Sequence, residues 1–165
     1  MNKLFLTFKP RFYTILTLFL LLAINSKAQD YFIKKSFATA APLYDNLLKT
    51  TEGNFKDYPH ALHPDGTLKY LQIDEWTGGF WPGILWYMYE FTKEEKWRKH
   101  AEAWTNSLES NQYNTAHHDI GFMMYCSYGN AIRFNPNPKY QDILIQSAKS
   151  LLKRYSPTVG SIQSW

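Results

Sequence analysis

The stretch HHDIGFMMYCS at residues 117–127 places two histidines and an aspartate at the start of an apolar run. Aspartate is favoured at helix N-termini because its carboxylate can accept a hydrogen bond from a backbone amide of the first turn. We therefore expect Asp119 to cap a helix through the amide of Gly121 or Phe122. A carboxylate beside histidines, at the mouth of a buried helix, can also be adjusted for proton transfer. The two roles are compatible, since catalytic groups often lie where a loop meets a rigid element.

The adjacent histidines, His117 and His118, raise the question of a metal site. Neighbouring side chains point in different directions, whereas zinc ligands on helices are spaced three or four residues apart. We therefore predict no metal and no cofactor. One histidine is expected to hydrogen-bond substrate or Asp119, and the other to be structural.

A second group of candidates is aromatic and lies in EWTGGFWPG, residues 75–83. Packing in the core is a sufficient explanation for Phe80 and Trp81. Trp76 precedes two glycines in a loop, where a large indole is harder to bury. Aromatic faces stack on the apolar faces of sugar rings, and paired glycines let the backbone approach a ligand closely. Trp76 and Phe80 are thus candidate sugar-binding residues.

Three further reactive side chains have simpler explanations. Asp74 and Glu75 could supply a second carboxylate, but they are expected to be solvated or to cap a helix. Cys126 is the one cysteine of the chain, has no flanking base and is expected to be a core residue. A single cysteine also excludes an internal disulfide, so the fold depends on its apolar core.

The elements that position these residues are predicted to be helices, and no strand pattern is evident. Apolar residues recur at helical spacing over 31–50, while 51–75 is rich in turn residues. Residues 81–91 and 119–133 are apolar on almost every side, which is typical of buried helices. Residues 93–109 and 139–154 are amphipathic, and Thr92 and Glu95 form a predicted capping box before the first of these. The inward stripe of 93–109 consists of Trp97, Ala101, Trp104 and Leu108.

The order of these helices predicts the architecture. Buried and amphipathic helices alternate along the chain, as they do when inner helices are covered on both sides and outer helices face water on one. In a four-helix bundle every helix would have one polar face. The pattern therefore predicts an all-α fold, a toroid of paired inner and outer helices.

The N-terminus has the features of a secretory signal peptide. The apolar run of residues 14–24 follows the basic residues Lys3, Lys9 and Arg11. Small residues occupy the two positions that a signal peptidase recognises, and the second of these is Ala28. We expect cleavage after Ala28, leaving 29–165 as the catalytic domain in the periplasm or outside the cell. The alternative of a membrane anchor is disfavoured because the run is shorter than the roughly 20 residues that span a bilayer.

Removal of the signal also changes the charge of the protein. All four of its charged residues are basic, so the remaining chain has 14 basic and 14 acidic residues. The high isoelectric point belongs mainly to the discarded segment, and a nucleic-acid partner loses its electrostatic support. At the other end, residues 156–165 are loop-like and finish on Trp165, which indicates truncation of a longer protein.

Residues 76–104, 117–127 and 158–165 together resemble the unsaturated glucuronyl hydrolases of glycoside hydrolase family 88. The order and spacing of the three stretches match that family, and the first two are specific in combination. The resemblance covers nearly all of the mature chain but only the N-terminal part of the family's domain. It implies an (α/α)6 barrel, here present only in its first part.

The resemblance also implies a reaction. The family removes 4,5-unsaturated glucuronic acid from the non-reducing end of lyase-generated oligosaccharides by hydrating the C4=C5 vinyl ether. Of its two aspartates, one falls on Asp119, and the other follows the Ser-Trp stretch and lies outside this chain. His118 matches a histidine of the family's pocket, and Trp76 and Phe80 match aromatics lining its sugar site. A chain of 165 residues with one of the two carboxylates is expected to be inactive by itself.

Other functions remain open at this point. An unsaturated rhamnogalacturonyl-type hydrolase or a sugar epimerase could use the same toroid. A secreted glycan-binding protein could use Trp76 and Phe80 without any chemistry, and it would be indifferent to Asp119. A non-functional fragment is a further possibility.

Overall fold

A computed structural model of the chain describes residues 8–164, except for the side chains of 8–12, 16 and 18–29. Lys3 and Trp165, and the side chains of Lys9, Arg11 and Lys27, therefore lie outside the described part of the molecule. The chain divides into two compact units, residues 1–44 and 45–165.

The first unit is described by one helix, α1, which spans Phe8–Thr50 and ends within the second unit. The predicted helix over 31–50 is confirmed, and α1 also includes most of the predicted signal segment. Pro42 lies inside the helix. Among the residues described, no helix combines the length and apolar character that a membrane crossing requires.

The second unit is mainly helical, with two small antiparallel strand pairs. Its helices are α2, Phe80–Thr92; α3, Glu95–Ser107; α4, Ile120–Met124; α5, Asn130–Phe134; and α6, Pro138–Leu152. Short 3-10 helices span Trp76–Gly79 and Glu109–Tyr113, and one π-helical turn spans Tyr125–Gly129. The strands are β1, Tyr58–Leu62; β2, Leu68–Leu71; β3, Tyr155–Ser156; and β4, Ser161–Ile162.

The strands correct the expectation of a chain without β structure. In the region predicted as loop, β1 pairs with β2, and the turn between them contains Gly66 in a left-handed conformation with φ 84°. The pair is held to the helices by Tyr58, which is buried and packs edge-on against Trp104 with ring centroids 5.1 Å apart. A hairpin this short has too few alternating residues to stand out from a loop in the sequence.

The junction between α2 and α3 corrects a second expectation. Thr92 belongs to the last turn of α2, where its hydroxyl donates to the carbonyl of Met88 at 2.8 Å. Lys93 ends that helix in a left-handed conformation, and Glu94 precedes α3 without a side-chain capping bond. The predicted capping box is therefore wrong, because the threonine completes one helix instead of starting the next.

The predicted apolar helix over 119–133 forms as α4, the π-helical turn and α5 in succession. Its side chains are not buried on every side: Phe122 and Tyr125 are exposed. Cys126 lies in the π-helical turn and is half-buried, and this burial raises the pKa of its thiol. The cysteine is thus only partly covered, and its environment does not favour the reactive thiolate.

The core lies between α2, α3 and the segment that follows Asp119. The predicted inward stripe of residues 93–109 is confirmed, since Trp97, Ala101 and Trp104 of α3 are buried, as is Leu108 immediately after it. Trp86 of α2 is also buried and donates from its indole nitrogen to Thr105 of α3 at 2.9 Å. On α6, Ile143 faces the core while Asp142 is exposed. These contacts give α3 and α6 the two-sided character that the sequence predicted.

Candidate active site

Asp119 lies immediately before α4, at the position from which the sequence predicts it to cap the helix. Its carboxylate makes no capping hydrogen bond, so that expectation is wrong. Asp119 has helical dihedral angles (φ −74°, ψ −3°), whereas a capping residue usually has an extended backbone. The main-chain carbonyl of Asp119 accepts from the amide of Met123 at 2.9 Å, while the carboxylate is directed elsewhere.

The carboxylate of Asp119 faces both histidines. Its Oδ1 lies 3.3 Å from Nε2 of His118, and its Oδ2 lies 3.9 Å from Nδ1 of His117. The side chain of Asp119 is 18% exposed, so the carboxylate is largely enclosed but open to a ligand. His118 is the histidine whose ring nitrogen lies nearer to this carboxylate.

The remaining ring nitrogens of the two histidines contact backbone carbonyl oxygens. Nε2 of His117 lies 3.0 Å from the carbonyl oxygen of Asp74, and Nδ1 of His118 lies 3.0 Å from that of Ser164. A carbonyl oxygen only accepts, so each of these contacts is a hydrogen bond when the ring nitrogen carries the proton. The hydroxyl of Ser164 lies further from Nδ1 of His118, at 3.4 Å, so the carbonyl is the nearer partner and favours a proton on that nitrogen. In the neutral ring, Nε2 of His118 then carries no proton and presents its lone pair to Asp119. The 3.3 Å contact between His118 and Asp119 is a hydrogen bond in two cases. Either the histidine is an imidazolium and donates to the carboxylate, or the carboxyl group is protonated and donates to the histidine.

His117 connects two segments of the site. It ties the loop before Trp76 to the start of α4, and Asn111 supports the same loop by donating to the carbonyl of Ile73 at 2.6 Å. Nδ1 of His117 is buried and has no hydrogen-bond partner among the residues that the structure describes. Among the described residues, no group of three or more histidine, cysteine, aspartate or glutamate side chains is arranged to hold a metal ion.

The aromatic candidates form a partly exposed cluster. Trp76 is 40% exposed and Phe80 is 37% exposed, and their ring centroids are 5.9 Å apart. Phe122 joins them at 5.0 Å from Phe80 and 6.2 Å from Trp76. Trp81, by contrast, is buried as core packing predicts. We call Trp76, Phe80 and Phe122 the aromatic platform; its third member, Phe122, lies in α4, about one helical turn after Asp119.

The two glycines between Trp76 and Phe80 differ in their surroundings. A Cβ on Gly79 would lie 2.5 Å from the Cα of Met123, whereas one on Gly78 would make an ordinary contact with Tyr58 at 3.7 Å. Gly79 therefore allows the 3-10 helix to approach the backbone of α4, which brings Trp76 and Phe80 to Phe122. Asp74 and Glu75 are exposed, in agreement with the expectation that they are solvated.

Sequence reasoning missed two residues of this region. Phe122 follows Asp119 by three residues, so helical spacing could have placed it beside the carboxylate, but the apolar run made it resemble a core residue. Arg154 donates to backbone carbonyls on both sides of the site, at Thr115, Ala116, Gln163 and Ser164. These bonds depend on loop geometry, and no local pattern announces them.

Comparison with known proteins finds relatives among the enzymes that act on unsaturated uronic acids. An unsaturated glucuronyl hydrolase of Formosa agariphila is 35% identical over 144 residues, which are 86% of this chain and 36% of the relative. An unsaturated chondroitin disaccharide hydrolase of Streptococcus agalactiae is 32% identical over 114 residues, covering 67% of this chain and 28% of the relative. No family model matches the chain.

Solved structures give the same result for the fold. The crystal structure of an unsaturated glucuronyl hydrolase specific for heparin matches with a TM-score of 0.74 at 37% identity, over 80% of this chain and 35% of that one. The enzyme from a Bacillus species matches with a TM-score of 0.64 at 29% identity, over 72% and 31%. These proteins are α/α barrels, and the predicted fold class is confirmed for the segment present.

The chain belongs with the unsaturated glucuronyl hydrolases, a group of glycoside hydrolases, as the sequence resemblance indicated. It spans about a third of the length of the relatives that it matches. This partial coverage is consistent with an N-terminal portion of such an enzyme, and with a catalytic group that lies outside the portion.

Proposed function

We propose that this chain contributes one carboxylate and part of the sugar site to an enzyme that releases 4,5-unsaturated glucuronic acid from oligosaccharides. The observation that carries the proposal is the carboxylate of Asp119, which is not used for capping and lies 3.3 Å from His118. Phe122 lies one helical turn further along, and with Trp76 and Phe80 it provides apolar faces for a sugar ring.

The reaction is a hydration. A proton is added to C4 of the unsaturated ring, and the hydroxyl of a water molecule is added to C5. The product is a hemiketal that opens and releases the remaining sugar, so no glycosidic bond is displaced directly. The rule that relates the spacing of two carboxylates to retention or inversion therefore does not apply.

Such a hydration needs one group to deliver a proton and another to hold the charged or hydrated state. Asp119 can serve as one of the two carboxylates, with His118 holding it in place and sharing its proton. The family resemblance assigns the second aspartate to a position beyond Trp165. The segment by itself is then expected to be inactive, and the activity belongs to the full-length gene product.

The experiment uses the ultraviolet absorbance of the unsaturated uronate, which disappears on hydration. The full-length protein is incubated with unsaturated disaccharides, and Asp119→Asn is compared with wild type. We expect loss of absorbance for the wild type and strongly reduced loss for the variant. If neither protein changes the absorbance and both bind saturated glycans, the result would favour a non-catalytic glycan-binding protein instead.

The relatives support a proposal for the substrate class. Two related structures hold dGlcA-Glc-Rha-Glc and dGlcA-GalNAc6S, and other relatives are named for chondroitin disaccharides or for heparin. We therefore propose unsaturated uronic-acid oligosaccharides as the ligands of this protein, in the degradation of polysaccharides. An unsaturated rhamnogalacturonyl-type substrate is the alternative, and it is tested by including that disaccharide in the same assay.

Export is a second part of the proposal. Residues 1–28 have the basic start, apolar run and small cleavage residues of a signal peptide. N-terminal sequencing of the protein recovered from the periplasm or medium should then begin at Gln29. Recovery of the uncleaved chain from the membrane fraction would contradict this and favour the anchor.

A further inference from the structure

The side chain of Arg154 connects two segments that meet at His118. Its Nη1 donates to the carbonyl oxygens of Thr115 at 2.7 Å and Ala116 at 2.8 Å. Its Nη2 donates to that of Ser164 at 2.9 Å, and its Nε donates to that of Gln163 at 3.0 Å. One guanidinium thus holds two segments in place. One segment leads into His117, and the other carries the carbonyl that His118 contacts.

These bonds require an arginine. The guanidinium is planar and carries five donors in a fixed arrangement, so it can hold four carbonyl oxygens from two segments at once. A lysine would offer three rotatable donors from a single point. Arg154 makes no ion pair among the residues that the structure describes, and its donors go to backbone oxygens. Its contribution there is therefore geometric, because the guanidinium fixes where the two segments lie.

The position of Ser164 matters for the chemistry of Asp119. Nδ1 of His118 donates to the carbonyl of Ser164 at 3.0 Å, and this bond leaves Nε2 to face Asp119. Which ring nitrogen of a histidine carries the proton is set by the hydrogen bond that the other nitrogen makes. Displacing Ser164 would release the ring, and Nε2 could then take the proton in the neutral form.

We infer that Arg154 is a positioning residue of the active site. It holds Ser164 and the 115–116 segment so that His118 presents its unprotonated Nε2 to the carboxylate of Asp119. Arg154 acts through His118, because the hydrogen bonds of its guanidinium go to the backbone carbonyls of the two segments. The inference rests on the proposed function of Asp119 and extends it to a residue 35 positions further along the chain.

The test compares four forms of the full-length protein: wild type, Arg154→Met, Arg154→Lys and the control Lys153→Met. Lys153 is exposed and adjacent, so its replacement removes the same charge without touching the two segments. The first readout is kcat and KM with an unsaturated disaccharide. The second is the 15N spectrum of the His118 ring at alkaline pH, which distinguishes a proton on Nδ1 from one on Nε2. Thermal unfolding establishes which variants are folded.

We expect a proton on Nδ1 of His118 in wild type and in Lys153→Met, with the same kcat in both. Arg154→Met should lose this tautomer and lower kcat by roughly 100-fold, the effect of a displacement of about 1 Å in an active site, with little change in KM. Arg154→Lys should lie between the two. If Arg154→Met does not fold, Arg154→Lys decides the question by the same readouts.

A folded Arg154→Met protein with wild-type kcat and the proton still on Nδ1 would overturn the inference. A purely structural arginine would lower the unfolding temperature but leave the tautomer of the folded molecules unchanged, which also counts against it. If the wild type itself does not consume the unsaturated disaccharide, the proposed function fails. The spectrum of His118 then decides the role of Arg154 independently.

Discussion

His118 and Asp119, neighbours in sequence, turn their side chains toward each other, with Nε2 of the histidine 3.3 Å from Oδ1 of the aspartate. Adjacent residues at a helix start usually point apart, and an aspartate there usually turns to the amides of the helix. Here the helix begins without the help of the carboxylate. The group is consequently available for chemistry, and its removal should cost the fold little.

Replacing Asp119 with asparagine should separate activity from stability. In the full-length protein we expect kcat to fall by about 100-fold or more, the usual contribution of a positioned proton-transfer group. The unfolding temperature should stay near that of wild type, because no capping bond is lost. The measurements are the decay of uronate absorbance and thermal unfolding by circular dichroism.

The matched control is Asp142→Asn, which makes the same change at an exposed position of α6. It should have wild-type activity and stability. Near wild-type turnover by Asp119→Asn would refute the catalytic assignment of Asp119. Normal turnover with a large loss of stability would show that the carboxylate supports the fold.

The sequence was sufficient to predict the helices around this site, and the reason is their periodicity. Trp97, Ala101, Trp104 and Leu108 recur at helical spacing and all face the core. The same periodicity could not predict what Asp119 or Thr92 does with its side chain. Both are typical capping residues, and residue type alone does not show whether such a side chain caps a helix or contacts another nearby group. For Thr92 that contact is the last turn of α2, and for Asp119 it is His118.

The hairpin and the role of Arg154 were beyond sequence reasoning for a different reason. Strands β1 and β2 are short, and Tyr58 is the residue that anchors them through its contact with Trp104, which is far away in sequence. Arg154 likewise contacts carbonyls 38 and 39 residues before it. Backbone carbonyls are the same at every residue, so nothing in the sequence identifies them as partners.

Phe122 should bind the sugar together with Trp76 and Phe80. It is 47% exposed, so Phe122→Ala removes an accessible ring without emptying a buried site. We expect KM to rise about tenfold, which corresponds to about 1.4 kcal/mol of binding free energy, with a smaller change in kcat. Steady-state kinetics with an unsaturated disaccharide provide the measurement.

Tyr113→Ala serves as the control for Phe122, since Tyr113 is an exposed aromatic outside the aromatic platform. Its KM should equal that of wild type. Equal KM values for Phe122→Ala and wild type would mean that the platform has no contact with the substrate at this position.

Gly79 and Gly78 should differ in their tolerance of alanine. At Gly79 the added methyl group meets the backbone of Met123, with its Cα only 2.5 Å away, and backbone cannot move aside as a side chain can. We expect Gly79→Ala to lower the free energy of unfolding by about 3 kcal/mol, at the upper end of overpacking effects. At Gly78 the nearest atom is 3.7 Å away, so Gly78→Ala should be neutral.

Unfolding by urea provides both values under the same conditions. Because the two glycines are adjacent and both are buried, general effects of alanine on the 3-10 helix cancel in the comparison. Equal stability of the two variants would be inconsistent with the close approach of Gly79 to α4. Loss of substrate binding in a stable Gly79→Ala protein would show instead that the methyl group displaces the aromatic platform.

Tyr58 should make the protein sensitive to alkali. Burial raises the pKa of its hydroxyl from 10.0 to about 12, although its hydrogen bond with Ser107 acts in the opposite direction. A raised pKa in the folded state means that the stabilisation is complete below pH 10 and is lost as the pH rises toward 12. In that window the unfolded state binds fewer protons, so stability falls with pH.

The comparison of wild type with Tyr58→Phe isolates this effect. At neutral pH the variant should lose about 1 kcal/mol, because the hydrogen bond to Ser107 is removed. Between pH 10 and 12 its free energy of unfolding should fall less steeply with pH than that of wild type. The difference between the two slopes should be about 1.4 kcal/mol per pH unit. Urea unfolding at a series of pH values measures both. Parallel pH dependences of the two proteins would mean that Tyr58 ionises as readily in the folded protein as in the unfolded chain.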